Sequence, residues 1–214
     1  MVTEDLKKIL LSLKEEDYYN IADFHVHSSE SDGRLSPYEI IEQAKKRQLK
    51  HISIADHNTI DAYTTTNILS ENIVIPAVEF DCYYKGSMLH IIGLGIDIDN
   101  KELKTIYSPT KAGRTHNLTR LFKMREPKSV ITKIKNAGGI AIWAHPACCW
   151  YLSLESILIN LIKMGLEGIE VYYPYRGLRG ILKFHSKETV KELAEKYNLI
   201  KTGGTDSHGK KLLV

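Results

Sequence analysis

The sequence predicts an α/β fold built on a largely parallel sheet, either open or closed into a barrel. Three observations predict it. Short apolar runs alternate with amphipathic helical patterns. Polar side chains able to bind metal follow the C-terminal ends of nearly all those runs, where a parallel barrel gathers its active site. The chain of 214 residues is long enough for one domain with a sizeable core.

Residues 1–20 read as a surface helix of the same domain, with Leu6, Ile9, Leu10 and Leu13 on its buried stripe. Charges interrupt its apolar residues and no small-residue cleavage site follows, so a cytoplasmic location is expected. IADFHVH is the first strand. Ser36-Pro37-Tyr38-Glu39 then opens a helix with a cap, a first-turn proline and an acid placed for a capping box, and this helix is expected to end near Lys50. HISIAD is the next strand. Apolar runs follow at residues 72–78, 89–95, 139–144, 168–172 and 199–202. Between them, Val130, Ile131, Ile134 and Ala137 form one helical stripe, and Val190, Leu193, Ala194 and Tyr197 another. His90 enters its run near the beginning, which predicts an antiparallel or irregular segment there.

Charge and composition narrow the function classes. The net charge is +3 with 26% charged residues, and Lys and Arg are spread rather than blocked together, so nucleic acid is allowed but not announced. No run of apolar residues is long enough for a transmembrane helix. Cys82, Cys148 and Cys149 include no spaced pair of the zinc-ribbon kind, which fits a reduced compartment and inert thiols.

Taken singly, the candidate functional residues have ordinary readings. His25 and His27 share one side of a strand and are suited to ligate one ion, or to sit quietly at a strand end. Asp56-His57-Asn58 also reads as a capped turn. Glu79 follows IVIPAV, where an ionised carboxylate needs a cation or dense hydrogen bonding. His145 after GIAIWA reads as a satisfied core histidine, and Asp206-Ser207-His208 as a polar loop. Their joint occurrence at strand ends beside carboxylates points to metal instead. Imidazole and carboxylate without thiolate favour zinc, manganese or iron.

The motifs Asp23-Phe24-His25-Val26-His27-Ser28, Ser31-Asp32-Gly33, Ala55-Asp56-His57, Glu79, Ala144-His145-Pro146 and Gly203-Gly204-Thr205-Asp206-Ser207-His208 together resemble the PHP (polymerase and histidinol phosphatase) superfamily. The nearest resemblance is to its stand-alone phosphoesterases of the nucleotide phosphatase and 5′-to-3′ exoribonuclease group. It implies a distorted seven-stranded (β/α) TIM-like barrel spanning 21–214, with about three divalent ions, Mn, Zn or Fe, at its C-terminal face. By this resemblance, His25, His27, Glu79 and Asp206 hold one ion, and Asp32, His57 and His208 a second. Glu79 then reaches a third, held also by His90 and His145. Asp56 is expected to orient a ligand rather than bind metal.

A short interval between His90 and His145 implies a small helical insertion at about 100–128. Arg114, Arg120 and Arg125 are expected on one helix there, with Arg114 and Arg120 either meeting a substrate phosphate or forming a solvated face. His185 is a candidate for contacting phosphate or protonating the leaving group, or a neighbour of the Ser186 helix cap. Glu170 is expected to serve structure. Tyr172, Tyr173 and Tyr175 are candidates for stacking on a base or for packing.

The implied activity is hydrolysis of a phosphomonoester or terminal phosphodiester of a nucleotide or short single-stranded oligonucleotide, by attack of a metal-bridging hydroxide, with Asp206, Glu79 and His185 nearest the chemistry. The alternatives are histidinol-phosphate phosphatase or another small-molecule phosphatase, and a non-catalytic metal-stabilised binding domain.

Overall fold

Strands and helices alternate along the chain in a computed structural model that describes residues 3–115, 124–175 and 183–212. Helix α1 (Thr3–Ser12) buries Leu6 and Leu10. Strand β1 (Ala22–Val26) is buried throughout and pairs in parallel with β2 (His51–Ile54). Between them runs α2 (Pro37–Lys46), where Ser36 Oγ accepts from Glu39 N and the Glu39 carboxylate accepts from Ser36 N at 2.7 Å. The helix stops earlier than the expected Lys50. Gln48 takes φ of 59° and Leu49 N donates back to Ala44 O at 3.0 Å, a left-handed closure that satisfies the last carbonyls.

A short α3 (Asp61–Thr64) leads to β3 (Ala77–Tyr84), which forms a hairpin with β4 (Ser87–Leu94). The expected run at 72–78 is therefore displaced. A turn closed by Val74 N on Glu71 O, and Pro76 with no N–H to give, occupy most of it, and the strand instead carries Glu79 and Asp81. Strand β4 is antiparallel to both β3 and β5 (Ile140–Ala144), the irregularity His90 signalled. Strands β6 (Gly168–Tyr172) and β7 (Ile200–Gly203) then add in parallel.

The seven strands make two ladders, β1-β2 and β3-β4-β5-β6-β7, not one continuous closed sheet. Single bridges join them: Val26 to Ser207 on one side, Ile52 to Val74 and His57 to Glu79 on the other. At the first seam the backbones approach so closely that a Cβ on Gly204 would stand 2.3 Å from that of His25. Only glycine fits there.

Helices α5 (Pro127–Asn136), α6 (Leu154–Met164) and α7 (Lys187–Lys196) cover the sheet with their apolar stripes, α5 through Val130, Ile131 and Ile134. Trp143 is the largest fully buried side chain beneath them. The insertion holds α4 (Lys101–Lys104) and a 3-10 turn at Lys111–Gly113. The expected single arginine helix is not what the described residues form. Arg114 ends that 3-10 turn, while Arg125 is extended and bridges Cys82. Arg120 lies outside the described residues. No helix among them is long and apolar enough to cross a membrane.

Candidate metal centre

Strand pleating aims the site. His25 in β1 and His27 just past its end leave on one side, and in the β3-β4 hairpin Glu79, Asp81 and His90 share a face because Asp81 pairs directly with His90. Asp32, His57, His145, Asp206 and His208 arrive on the loops that follow strand ends. Two of those loop positions have left-handed backbone, His145 at φ 29° and Asp206 at φ 49°, as does Asn58 beside His57 at φ 56°. Such strain at non-glycine residues gathers at functional sites.

The side chains converge in three sets. In the first, His25 Nε2 and His27 Nε2 stand 3.1 Å apart, Glu79 Oε2 lies 3.4 and 3.3 Å from them, and Asp206 Oδ1 lies 3.1 Å from His27 Nε2. In the second, Asp32 lies 3.1 Å from His208 Nε2 and 3.6 Å from His57 Nε2. In the third, Glu79 Oε1, His90 Nδ1 and His145 Nε2 are separated by 2.9, 3.1 and 3.3 Å. His145 also falls within 4.8 Å of His25 and Asp206, but its shorter distances favour the third set.

These distances fit cations. Donors about 2.1 Å from one ion in tetrahedral array stand about 3.4 Å from each other. Glu79 Oε2 is fully buried and takes part in no hydrogen bond, although three imidazoles surround it. Burial favours the neutral carboxyl at Glu79, but the charges of His57, His90 and His25 prevail and hold it well below the usual range. At Asp32 burial is likewise outweighed, by the His208 hydrogen bond and the charges of His27 and His57. Ionised carboxylates are the state in which these groups ligate metal.

Further carboxylates hold the ligands in place. Glu170, expected to serve structure alone, sits 3.0 Å from His25 Nδ1 and accepts from His145 N at 2.8 Å, so it touches two members of the cluster. Asp81 was not singled out by sequence, yet its Oδ1 lies 3.3 Å from His90 Nε2 and 3.4 Å from His57 Nδ1. Alternation was the available signal, since Asp81 follows Glu79 by two. Asn58 donates to the other oxygen of Asp81, and Arg125 Nη1 donates to Asn58 Oδ1 at 2.6 Å, linking the insertion to the cluster. Asp23, also missed, accepts from Thr205 N and Oγ1 and so ties β1 to the Asp206 loop. Asp56 accepts from Ser28 and Ser31, steadying the loop that carries Asp32.

Among the described substrate candidates, Arg114 and His185 belong to none of the donor sets, whereas Tyr173 touches one. Arg114 is ion-paired with Asp61 and donates to Ser108 O at 2.9 Å. His185 Nε2 sits 2.8 Å from Tyr151 O, above the His145 loop. Tyr173 donates to Asp206 Oδ2 at 2.9 Å, Tyr172 packs on Tyr18, and Tyr175 lies against Tyr173.

The chain is similar to known proteins in both sequence and fold. Over 89% of this chain and 95% of its own length, the phosphoribosyl 1,2-cyclic phosphate 1,2-diphosphodiesterase of Eggerthella lenta is 25% identical. A 5′-3′ exoribonuclease of Haemophilus influenzae is 30% identical over 56% of this chain but only 44% of its own length. In fold, the chain is similar to a metal-dependent phosphoesterase structure from Bifidobacterium adolescentis, with a TM-score of 0.74 at 21% identity, covering 90% of this chain and 89% of that one. The profile of the PHP domain matches residues 23–148, more than half of the sequence, and the chain belongs to the PHP domain family.

Proposed function

We propose that this protein is a metal-dependent phosphoesterase that hydrolyses a phosphomonoester or terminal phosphodiester of a nucleotide or related sugar phosphate. The observation that carries the reading is the sharing of Glu79: its two oxygens face two separate donor sets, with Asp32, His57 and His208 forming a third beside them. Four buried carboxylates, Glu79, Asp81, Glu170 and Asp206, together with the half-buried Asp32, would repel an anionic ester, so an anionic substrate requires cations between them. Divalent ions held by the three sets, about three in all, would supply Lewis acidity toward a phosphoryl oxygen and toward water.

The chain's own groups then position and exclude. Glu170 and Asp81 fix the imidazoles of His25 and His90. Tyr173 holds the Asp206 carboxylate. His185, tethered at the Tyr151 carbonyl, is our candidate for delivering a proton to the leaving oxygen, and Arg114 and Arg120 are candidates for the phosphate at the mouth. The single bridges at both seams support a distorted seven-stranded barrel as the frame; our reading further takes 21–214 as one domain, to which the helix of residues 1–20 belongs, in a cytoplasmic setting.

The reading is tested by elemental analysis and by hydrolysis of 4-nitrophenyl phosphate, 5′-mononucleotides and a 5′-phosphorylated trinucleotide with added manganese or zinc. Metal-replete Glu79→Gln and Asp206→Asn should lose turnover by orders of magnitude while keeping the fold. Protein that binds no divalent metal, or a variant at wild-type rate, would sink it. A cyclic phosphodiester of a sugar belongs in the same panel, because the chain spans 95% of the cyclic-phosphate relative and only 44% of the exoribonuclease.

A further inference from the structure

Beside the third donor set lies a cavity of about 410 Å³ lined by Tyr83, Gly86, Ser87, Met88, Cys148 and Trp150. Its place follows from register. Tyr83 pairs with Met88 two residues beyond the Asp81–His90 pair, so both side chains continue the face that carries Glu79, Asp81 and His90. The opposite wall belongs to the loop that begins at His145. The cavity therefore starts about 7 Å along the strand from a candidate ligand, a span comparable to one pentose.

Its walls are apolar, aromatic and exposed. Of the eight exposed large apolar side chains among the described residues, Tyr83, Met88 and Trp150 line the cavity and Phe184 stands against Trp150, which is 64% exposed. Trp150 and Phe184 stand 5.7 Å apart, ring to ring. The wall is also held in place. Tyr151 Oη donates to Tyr84 O at 2.7 Å, and Phe184 N donates to Ala147 O at 2.9 Å. A fixed aromatic patch opening beside a polar centre is what a ligand with one charged and one flat apolar end requires.

We infer that this cavity is a ring-binding subsite that takes the flat heteroaromatic ring of a nucleoside phosphate while its phosphoryl group sits at the metal centre. The inference rests on the phosphoesterase reading for the phosphate end alone. Tyr83 and Trp150 supply the stacking faces and Met88 the floor. Ser87 is the polar group at the rim, so the subsite selects for a ring over none more than for one base over another.

The test compares 5′-AMP with ribose 5-phosphate, which share the same primary leaving oxygen and differ in the ring. Wild-type protein should favour 5′-AMP in kcat/KM by about tenfold or more, chiefly through KM. Trp150→Ala and Tyr83→Ala should each narrow that ratio toward one, and Trp150→Phe should restore most of it. Fluorescence gives a second readout, since Trp143 is buried and Trp150 exposed. Addition of 5′-AMP should quench the emission, ribose 5-phosphate should not, and Trp150→Phe should abolish the response.

Equal kcat/KM for the two esters without quenching would overturn the subsite and leave the phosphoesterase reading standing. Quenching by 5′-AMP with no turnover of any ester would overturn that reading and keep the subsite. An unchanged ratio in Trp150→Ala and Tyr83→Ala, both folded by circular dichroism, would assign the aromatic patch to something other than substrate, such as a protein partner.

Discussion

Asp81 lies between two imidazoles, 3.3 Å from His90 and 3.4 Å from His57, with Asn58 and Arg125 behind it. A carboxylate that orients metal-binding histidines commonly tunes affinity by 10–100-fold, so Asp81→Ala should weaken metal binding by about that factor while Asp81→Asn recovers part of it. Competitive titration with a chelator checks this, and unaltered affinity would remove Asp81 from the site. His51 offers a pH test away from the cluster. Burial lowers its pKa below 6.5, so its protonation opposes folding, and stability should fall as pH drops through 6.5 toward that lowered value. His51→Gln should flatten this part of the stability profile, measured by urea midpoints from pH 7 to 5. Burial raises Cys82 and pushes the Cys149 thiol up to about 12, so at pH 7.5 alkylation of the folded protein should reach half-buried Cys148 first, as mass spectrometry would show.

At the scale of elements, the sequence was most legible where local chemistry decides. The Ser36 capping box, the Val130-Ile131-Ile134 stripe and the runs at 139–144 and 168–172 are found as expected, because caps and periodicity act within a few residues. Strand β3 was misplaced because its interior carries Glu79 and Asp81, charged side chains that no β pattern favours and that only the facing histidines make tolerable. Asp81 and the contacts of Glu170 escaped for a similar reason, since both depend on pairing with distant elements. Removing the cap in Ser36→Ala should cost about 1 kcal/mol. Ile134→Ala, emptying a site wholly inside the core, should cost about 2–5 kcal/mol. Chemical denaturation distinguishes the two, and a larger loss from the cap would contradict the packing described for α5.

Across the molecule, the two discontinuities between β-ladders coincide with the donor sets. His25 and His27 belong to one ladder and Glu79 and Asp206 to the other side of the seams, while Asp32 and His57 face His208 in the same way. Only the set of Glu79, His90 and His145 lies wholly within the larger ladder and the loop that extends it. Cations in the two straddling sets would therefore act as rivets across joints that backbone pairing leaves thin, and chelation should lower the melting temperature in proportion to their affinity. The loosening should also be local. Without metal, the amides of His27 and Asp206, which bond to Ser207 O and His25 O across the first seam, should exchange with deuterium faster than those of β5 in the middle of the larger ladder. In this architecture ions that serve the chemistry would also hold the two ladders to each other, so starvation for metal would loosen the protein along its seams as well as silence it.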